Sequence, residues 1–95
     1  MVSAQKVLKL PAMAKQIEAE AFMGISARQV VIPAGTLSLG ERAFADCGSL
    51  LIAVIPTSVN DIEENTFAET DIAVICPADS YAAAWCDDHH IPHNP

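Results

Sequence analysis

Short apolar stretches, separated by polar and small residues, close on a proline four times along the chain: Leu8 to Pro11, Val30 to Pro33, Ala53 to Pro56 and Val74 to Pro77. A period of two residues in these stretches predicts short strands. Leu8, Leu10, Val30, Ile32, Ala53, Ile55, Val74 and Cys76 face one side, and Lys9, Val31, Val54 and Ile75 face the other. Proline suits a strand's end because it has no ladder donor and its fixed φ turns the chain.

Beyond the first three prolines the spacing stays in register. An aliphatic residue follows six positions later at Ile17, Leu39 and Ile62, and a phenylalanine eleven positions later at Phe22, Phe44 and Phe67. The Pro-to-Phe distance is constant, whereas the Phe-to-next-Pro distance varies between 10 and 12 residues. A constant segment must pack, and a variable one can serve as a turn. A coil of 22 or 23 residues cannot bury its own apolar face. Successive coils therefore have to stack and share one core, the condition that defines a repeat solenoid. The expected core is Leu8, Leu10, Ile17, Phe22, Val30, Ile32, Leu39, Phe44, Ile55, Ile62, Phe67 and Val74. The expected coils are about 7–28, 29–50 and 51–72, with a partial one at 73–78, all within a single domain of 1–95.

The second half of each coil has helical composition, as in Gln16 to Gly24, but its spacing contradicts a helix. A five-residue gap from Ile17 to Phe22 sets the pair on different faces of a regular helix and of a regular strand alike. A short extended piece followed by a tight turn or one 3₁₀ turn reconciles them. After Pro77 the repeat stops. Asp79 or Ser80 supplies an N-cap, and Tyr81, Ala82, Trp85 and Cys86 share a face, which predicts a capping helix over 79–90 with Tyr81 and Trp85 against the last coil.

These residues carry a family likeness. The run from Ile32 to Leu50, with Pro33, Leu39, Ala43, Phe44, Cys47 and Leu50 at its marked positions, resembles the bacterial BspA-type leucine-rich repeats. Cys76 to Pro92 is similar to that family's terminal cap. The resemblance spans roughly residues 7–93 and implies a leucine-rich-repeat solenoid. It also implies non-covalent recognition, often within large bacterial surface proteins, and hence an extracellular or cell-surface location. It brings no catalytic residue and no cofactor. Two departures stand out: Ile25 and Thr70 occupy the positions equivalent to Cys47, and His90 stands where the cap commonly has glycine.

Composition narrows the function further. The chain has 95 residues, 52% of them hydrophobic and 18% charged, enough burial for one folded domain. Its net charge of −7 repels phosphate backbones and anionic headgroups, which argues against nucleic-acid and membrane-surface roles. No apolar run approaches the ~20 residues of a membrane span. Met1 to Pro11 interleaves Lys6 and Lys9 with isolated aliphatics and does not read as a signal peptide.

Cys47, Cys76 and Cys86 lack C-x-x-C spacing and read as buried thiols. Asp87, Asp88, His89, His90 and His93 are the candidate metal ligands, but adjacent His89 and His90 point apart instead of standing one helical turn apart. Glu18, Glu20, Glu41, Glu63 and Glu64, with Arg42 among them, read as a solvated acidic face.

The expected partner surface is the outward set Lys9, Val31, Val54 and Ile75, which stacking gathers into one ridge. The reading that follows is a non-catalytic module for protein recognition or adhesion, with glycan as a second ligand class. Self-association through the ridge or through an open N-terminal edge at Leu8 and Leu10 is a further expectation, since residues 1–6 are too few to cap the first coil. The alternatives are a structural C-terminal cap of a longer repeat array and, third, a metal-dependent hydrolase at the histidine-rich tail.

Overall fold

The computed structural model describes residues 7–10 and 13–93, residues 7–9 by their backbone alone. In chain order the elements are β1 (Val7–Lys9), β2 (Gln16–Ile17), β3 (Gln29–Val31), β4 (Ser38–Leu39), β5 (Ile52–Val54), β6 (Asp61–Ile62), β7 (Ala73–Ile75) and α1 (Tyr81–Asp88). The strands form two parallel sheets, a four-stranded one in the order β1-β3-β5-β7 and a three-stranded one in the order β2-β4-β6. Equivalent residues pair directly. Leu8 lies beside Val30, Val30 beside Ala53 and Ala53 beside Val74, while Ile17 lies beside Leu39 and Leu39 beside Ile62.

The core fills the space between the two sheets. Val30, Ile32, Ala53, Ile55, Val74 and Cys76 are buried from the larger sheet, Ile17, Leu39 and Ile62 from the smaller, and Leu10 and Leu50 join them. Phe22, Phe44 and Phe67 stack in a single file, with ring centroids 5.5 Å apart at both steps and planes tilted by 10° and 12°. Phe44 is fully buried and Phe67 nearly so, whereas Phe22 at the head of the file is half-buried. The side chains of Leu8 and Lys9 lie outside the described residues. So do Pro11 and residues 1–6, on which the open N-terminal edge was expected.

The connection between each short strand and its phenylalanine is a run of turns, and no 3₁₀ helix forms among the described residues. In the first two runs the reason is a left-handed residue before the phenylalanine. Glu20 and Arg42 have φ near +60°, as do Asp46 and Glu69, at the position that Gly24 holds in the first coil. A residue there interrupts any helical run, because successive helical turns require negative φ throughout. Backbone donors then alternate. Ala21, Met23, Ala43 and Ala45 each bond the carbonyl three residues back, while Glu20, Phe22, Gly24, Phe44 and Asp46 bond the carbonyl of the next coil at 2.8–2.9 Å. The turns thus supply a third inter-coil ladder.

Side chains add a fourth set of bonds. Cys47 Sγ donates to Phe22 O at 3.4 Å, and Thr70 Oγ1 donates to Phe44 O at 2.7 Å, so cysteine and threonine perform the same task one coil apart. Thr70 Oγ1 also accepts from Cys47 N at 3.1 Å. Nearby, Thr36 Oγ1 donates to Ala14 O at 2.6 Å and Ser58 Oγ to Thr36 O at 2.7 Å. No buried side-chain nitrogen or oxygen among the described residues lacks a partner.

The C-terminal end closes both sheets. Helix α1 is shorter than the expected 79–90: Ser80 is its N-cap, accepting from Ala83 N at 3.1 Å, and His89 its C-cap. The buried face is Ala82, Ala83, Trp85 and Cys86. Tyr81, expected on that face, is instead 40% exposed, and its hydroxyl accepts from Ile62 N at 3.4 Å, on the edge of the smaller sheet. Trp85 meets Phe67 edge-on at 6.1 Å and so ends the aromatic file. The edge of the larger sheet is covered separately, where Val74 N donates to Pro92 O at 2.9 Å and a parallel bridge joins Val74 to His93. Covered edges remove a template for unwanted strand pairing.

The helix stops in a Schellman motif. His90 is left-handed at φ 57°, its N–H bonds Asp87 O, and Ile91 N bonds Cys86 O at 2.9 Å. Histidine has a Cβ that glycine avoids in this conformation. His90→Gly is therefore expected to stabilise the chain by up to about 1 kcal/mol, net of the entropy glycine adds to the unfolded state. Thermal unfolding should shift upward by roughly 4 °C, and an unchanged or lowered midpoint would refute the assignment.

Candidate interaction surface

The larger sheet has one face on the core and one on solvent. Alternation places Gln29, Ile52 and Ala73 in one outward column and Val31, Val54 and Ile75 in a second, both running across β3, β5 and β7. Val31, Val54 and Ile52 are half-buried, Ile75 is 43% exposed, and Leu51 at the head of β5 is 52% exposed. The six outward residues include no charge. Parallel sheets are ordinarily covered on both faces. This one carries half-buried to exposed aliphatic side chains on its outer face.

Of the residues singled out in the sequence, Val31, Val54 and Ile75 lie together on this face. The column of Gln29, Ile52 and Ala73 was missed. Its signal was present as the next outward step of the same alternation, but reading the strands from Val30, Ala53 and Val74 left it outside. The smaller sheet offers a different surface, with Gln16 and Asp61 exposed and Glu18, Glu41, Glu63 and Glu64 exposed beside them. Arg42 pairs with Asp46 at 3.7 Å, and Asn65 Nδ2 donates to Glu41 Oε2 at 3.3 Å. This is a solvated polar side.

The candidate metal ligands are engaged separately. His89 stacks on Trp85 at 4.1 Å, with Nδ1 at 2.8 Å from Trp85 O; His93 Nε2 sits 2.9 Å from Asp87 Oδ1; His90 is the left-handed residue after the helix. Among the described residues no three histidine, cysteine, aspartate or glutamate side chains gather around a point where an ion could sit. Nor is any helix among the described residues long and apolar enough to cross a membrane.

Cys47, Cys76 and Cys86 are all buried thiols. Burial, with Cys76 and Asp87 as neighbours, pushes Cys86 up to about 12 from an ordinary 9.0. The unfolded thiol ionises near 9 while the folded one stays neutral, so this contribution to stability is complete below pH 9 and lost as the pH rises toward 12. Unfolding midpoints between pH 9 and 11 should fall more steeply for the parent chain than for Cys86→Ala. Parallel slopes would contradict the buried, neutral thiol.

Parallel rungs and a shared core are the marks of a repeat solenoid, and the larger sheet turns one face of it to solvent. The model of the BspA type leucine rich repeat region matches residues 3–80, in six copies, and the chain belongs to that family. No curated protein and no solved structure matches it.

Proposed function

We propose that the chain is a non-catalytic leucine-rich-repeat module of a bacterial surface protein, recognising a protein partner through the outer face of the larger sheet. The coils are read as three full turns and a partial fourth, closed by α1. One observation carries the functional reading: Val31, Ile52, Val54, Ala73 and Ile75 form an uncharged aliphatic patch on a protein of net charge −7. Contiguous apolar surface on a soluble domain marks a contact site more often than chance exposure does. Membership of a generally non-catalytic repeat family supports the same view. Family resemblance also underlies the cell-surface location, and glycan is the second ligand class.

A structural role, as the C-terminal closure of a longer repeat array, is supported by the separate coverage of both sheet edges by Tyr81 and by Pro92. The two readings differ in what a surface charge does. Val54→Lys sits on a half-buried outward position and leaves the core untouched. It should cut retention of partner proteins, and any self-association through this ridge, at least tenfold in a side-by-side pull-down and light-scattering comparison. Its circular dichroism and unfolding midpoint should stay close to the parent's. Undiminished retention by a folded variant would remove this face as the recognition surface and leave the closure role.

A further inference from the structure

The outer face has a definite size and a definite charge layout, and together they restrict what can lie on it. Its described side chains, on β3, β5 and β7, span two strand steps, about 10 Å, of a four-stranded sheet whose three steps come to about 14 Å, and each strand contributes only three residues, about 7 Å. Such a footprint is a small fraction of the ~800 Å² that each partner gives to a standard protein interface. A broad two-fold sandwich with a second copy would be held by too little surface to persist. One narrow element of a partner fits.

That element has to satisfy its own backbone. The N–H and C=O groups of the sheet lie in its plane and are taken by neighbouring strands, as the register from Gln29 to Val31 through Ile52 to Val54 and Ala73 to Ile75 shows. An extended segment laid on this face would find no backbone partners there. A helix brings all but its terminal bonds with it. The flanking charges then set the helix's ends. Arg28 is exposed immediately before β3, while Asp71 and Asp79 are exposed on either side of β7, and none of the three has an ion-pair partner among the described residues. Positive charge stands at one end of the patch and negative charge at the other.

We propose that the occupant of this face is an amphipathic helix of about two turns, aliphatic along the stripe it lays across β3, β5 and β7, basic at the end over β7 and acidic at the end over β3. The inference rests on the recognition reading above and adds the partner's chemistry to it. Aliphatic contact supplies the affinity, and the end charges supply orientation and salt-sensitive capture.

Two lactam-stapled helical peptides of about two turns test it, both with the same leucine stripe, one ending in lysine and glutamate and one in glutamine at both ends. Binding to the full chain would be followed by fluorescence anisotropy of the labelled peptide. The charged-end peptide should bind roughly fivefold tighter than the neutral one, in line with two exposed ion pairs. That advantage should vanish in Asp71→Asn/Asp79→Asn and at high salt, and Val54→Lys should abolish binding of both peptides. Equal affinity of the two peptides for the parent chain, or no binding of either, would overturn the proposed partner while leaving the face itself in place. Full binding by a folded Val54→Lys variant would overturn both the partner and the recognition reading.

Discussion

Phe44→Ala is expected to cost about 3–5 kcal/mol of folding stability, the range for deleting a large aromatic side chain from a packed core. Phe44 is fully buried at the middle of the aromatic file, with Phe22 and Phe67 each 5.5 Å away. Truncating it removes two stacking contacts and opens a cavity between neighbouring coils. The backbone cannot collapse into that space, because Phe44 N is bonded to Thr66 O and Phe44 O accepts from Thr70 Oγ1. A domain of this size has roughly 5–15 kcal/mol of stability in all, so the variant should lose a large share of it and unfold at a clearly lower urea concentration than the parent. Phe22→Ala is the internal comparison: the ring is half-buried and has one stacked neighbour, so its loss should cost clearly less. Urea unfolding of both variants measures the difference, and equal penalties would mean that the file does not behave as a stack with a middle and an end.

The second large effect is expected at a position with no side chain. A Cβ on Gly40 would lie 2.6 Å from Ile17 O, 2.7 Å from Ala19 N and 2.7 Å from Glu18 C, all backbone atoms of the preceding coil. At this point Gly40 N donates to Ile17 O at 2.7 Å, so the two coils touch main chain to main chain. Backbone atoms cannot rotate away as a flexible side chain would. Gly40→Ala must separate the coils, weakening the β2-β4 pairing and the stack behind it, at a cost on the order of 3 kcal/mol. Gly48→Ala is the control, because a Cβ there meets nothing within 4 Å. A Gly40→Ala variant as stable as the Gly48→Ala control would show that the coils are not in this contact.

Both effects arise between coils, and this is the level at which the sequence was most readable. The spacing from Pro33 to Leu39 and Phe44, repeated from Pro56 to Ile62 and Phe67, announced rungs that must lie over one another, because a feature that packs against its own copy has to keep its position. The smaller sheet was harder to see. Its strands, Gln16–Ile17, Ser38–Leu39 and Asp61–Ile62, are two residues long and carry one buried aliphatic each, which is too little to display a period. An extended segment was expected there, but not its pairing into a sheet.

The left-handed positions were opaque for another reason. Glycine advertises a positive φ, as Gly24 does, but Asp46 and Glu69 hold the same conformation with side chains that give no such signal. At the cap, the departure from glycine at His90 was visible, while the return of Pro92 and His93 alongside β7 was not, since a single backbone bond leaves no trace in residue type. On the outer face, Val31, Val54 and Ile75 could be named from alternation. Their neighbours Gln29, Ile52 and Ala73 required the register.

Stacking of equivalent side chains is the premise of the fold and of the surface it presents. The most direct test is nuclear Overhauser spectroscopy on a sample with isotope-labelled phenylalanine and tryptophan rings. Cross-peaks should join Phe22 to Phe44, Phe44 to Phe67 and Phe67 to Trp85, with none between Phe22 and Phe67, giving one file read in chain order. A Phe22–Phe67 cross-peak, or the absence of contacts from Phe44 to either neighbour, would contradict it.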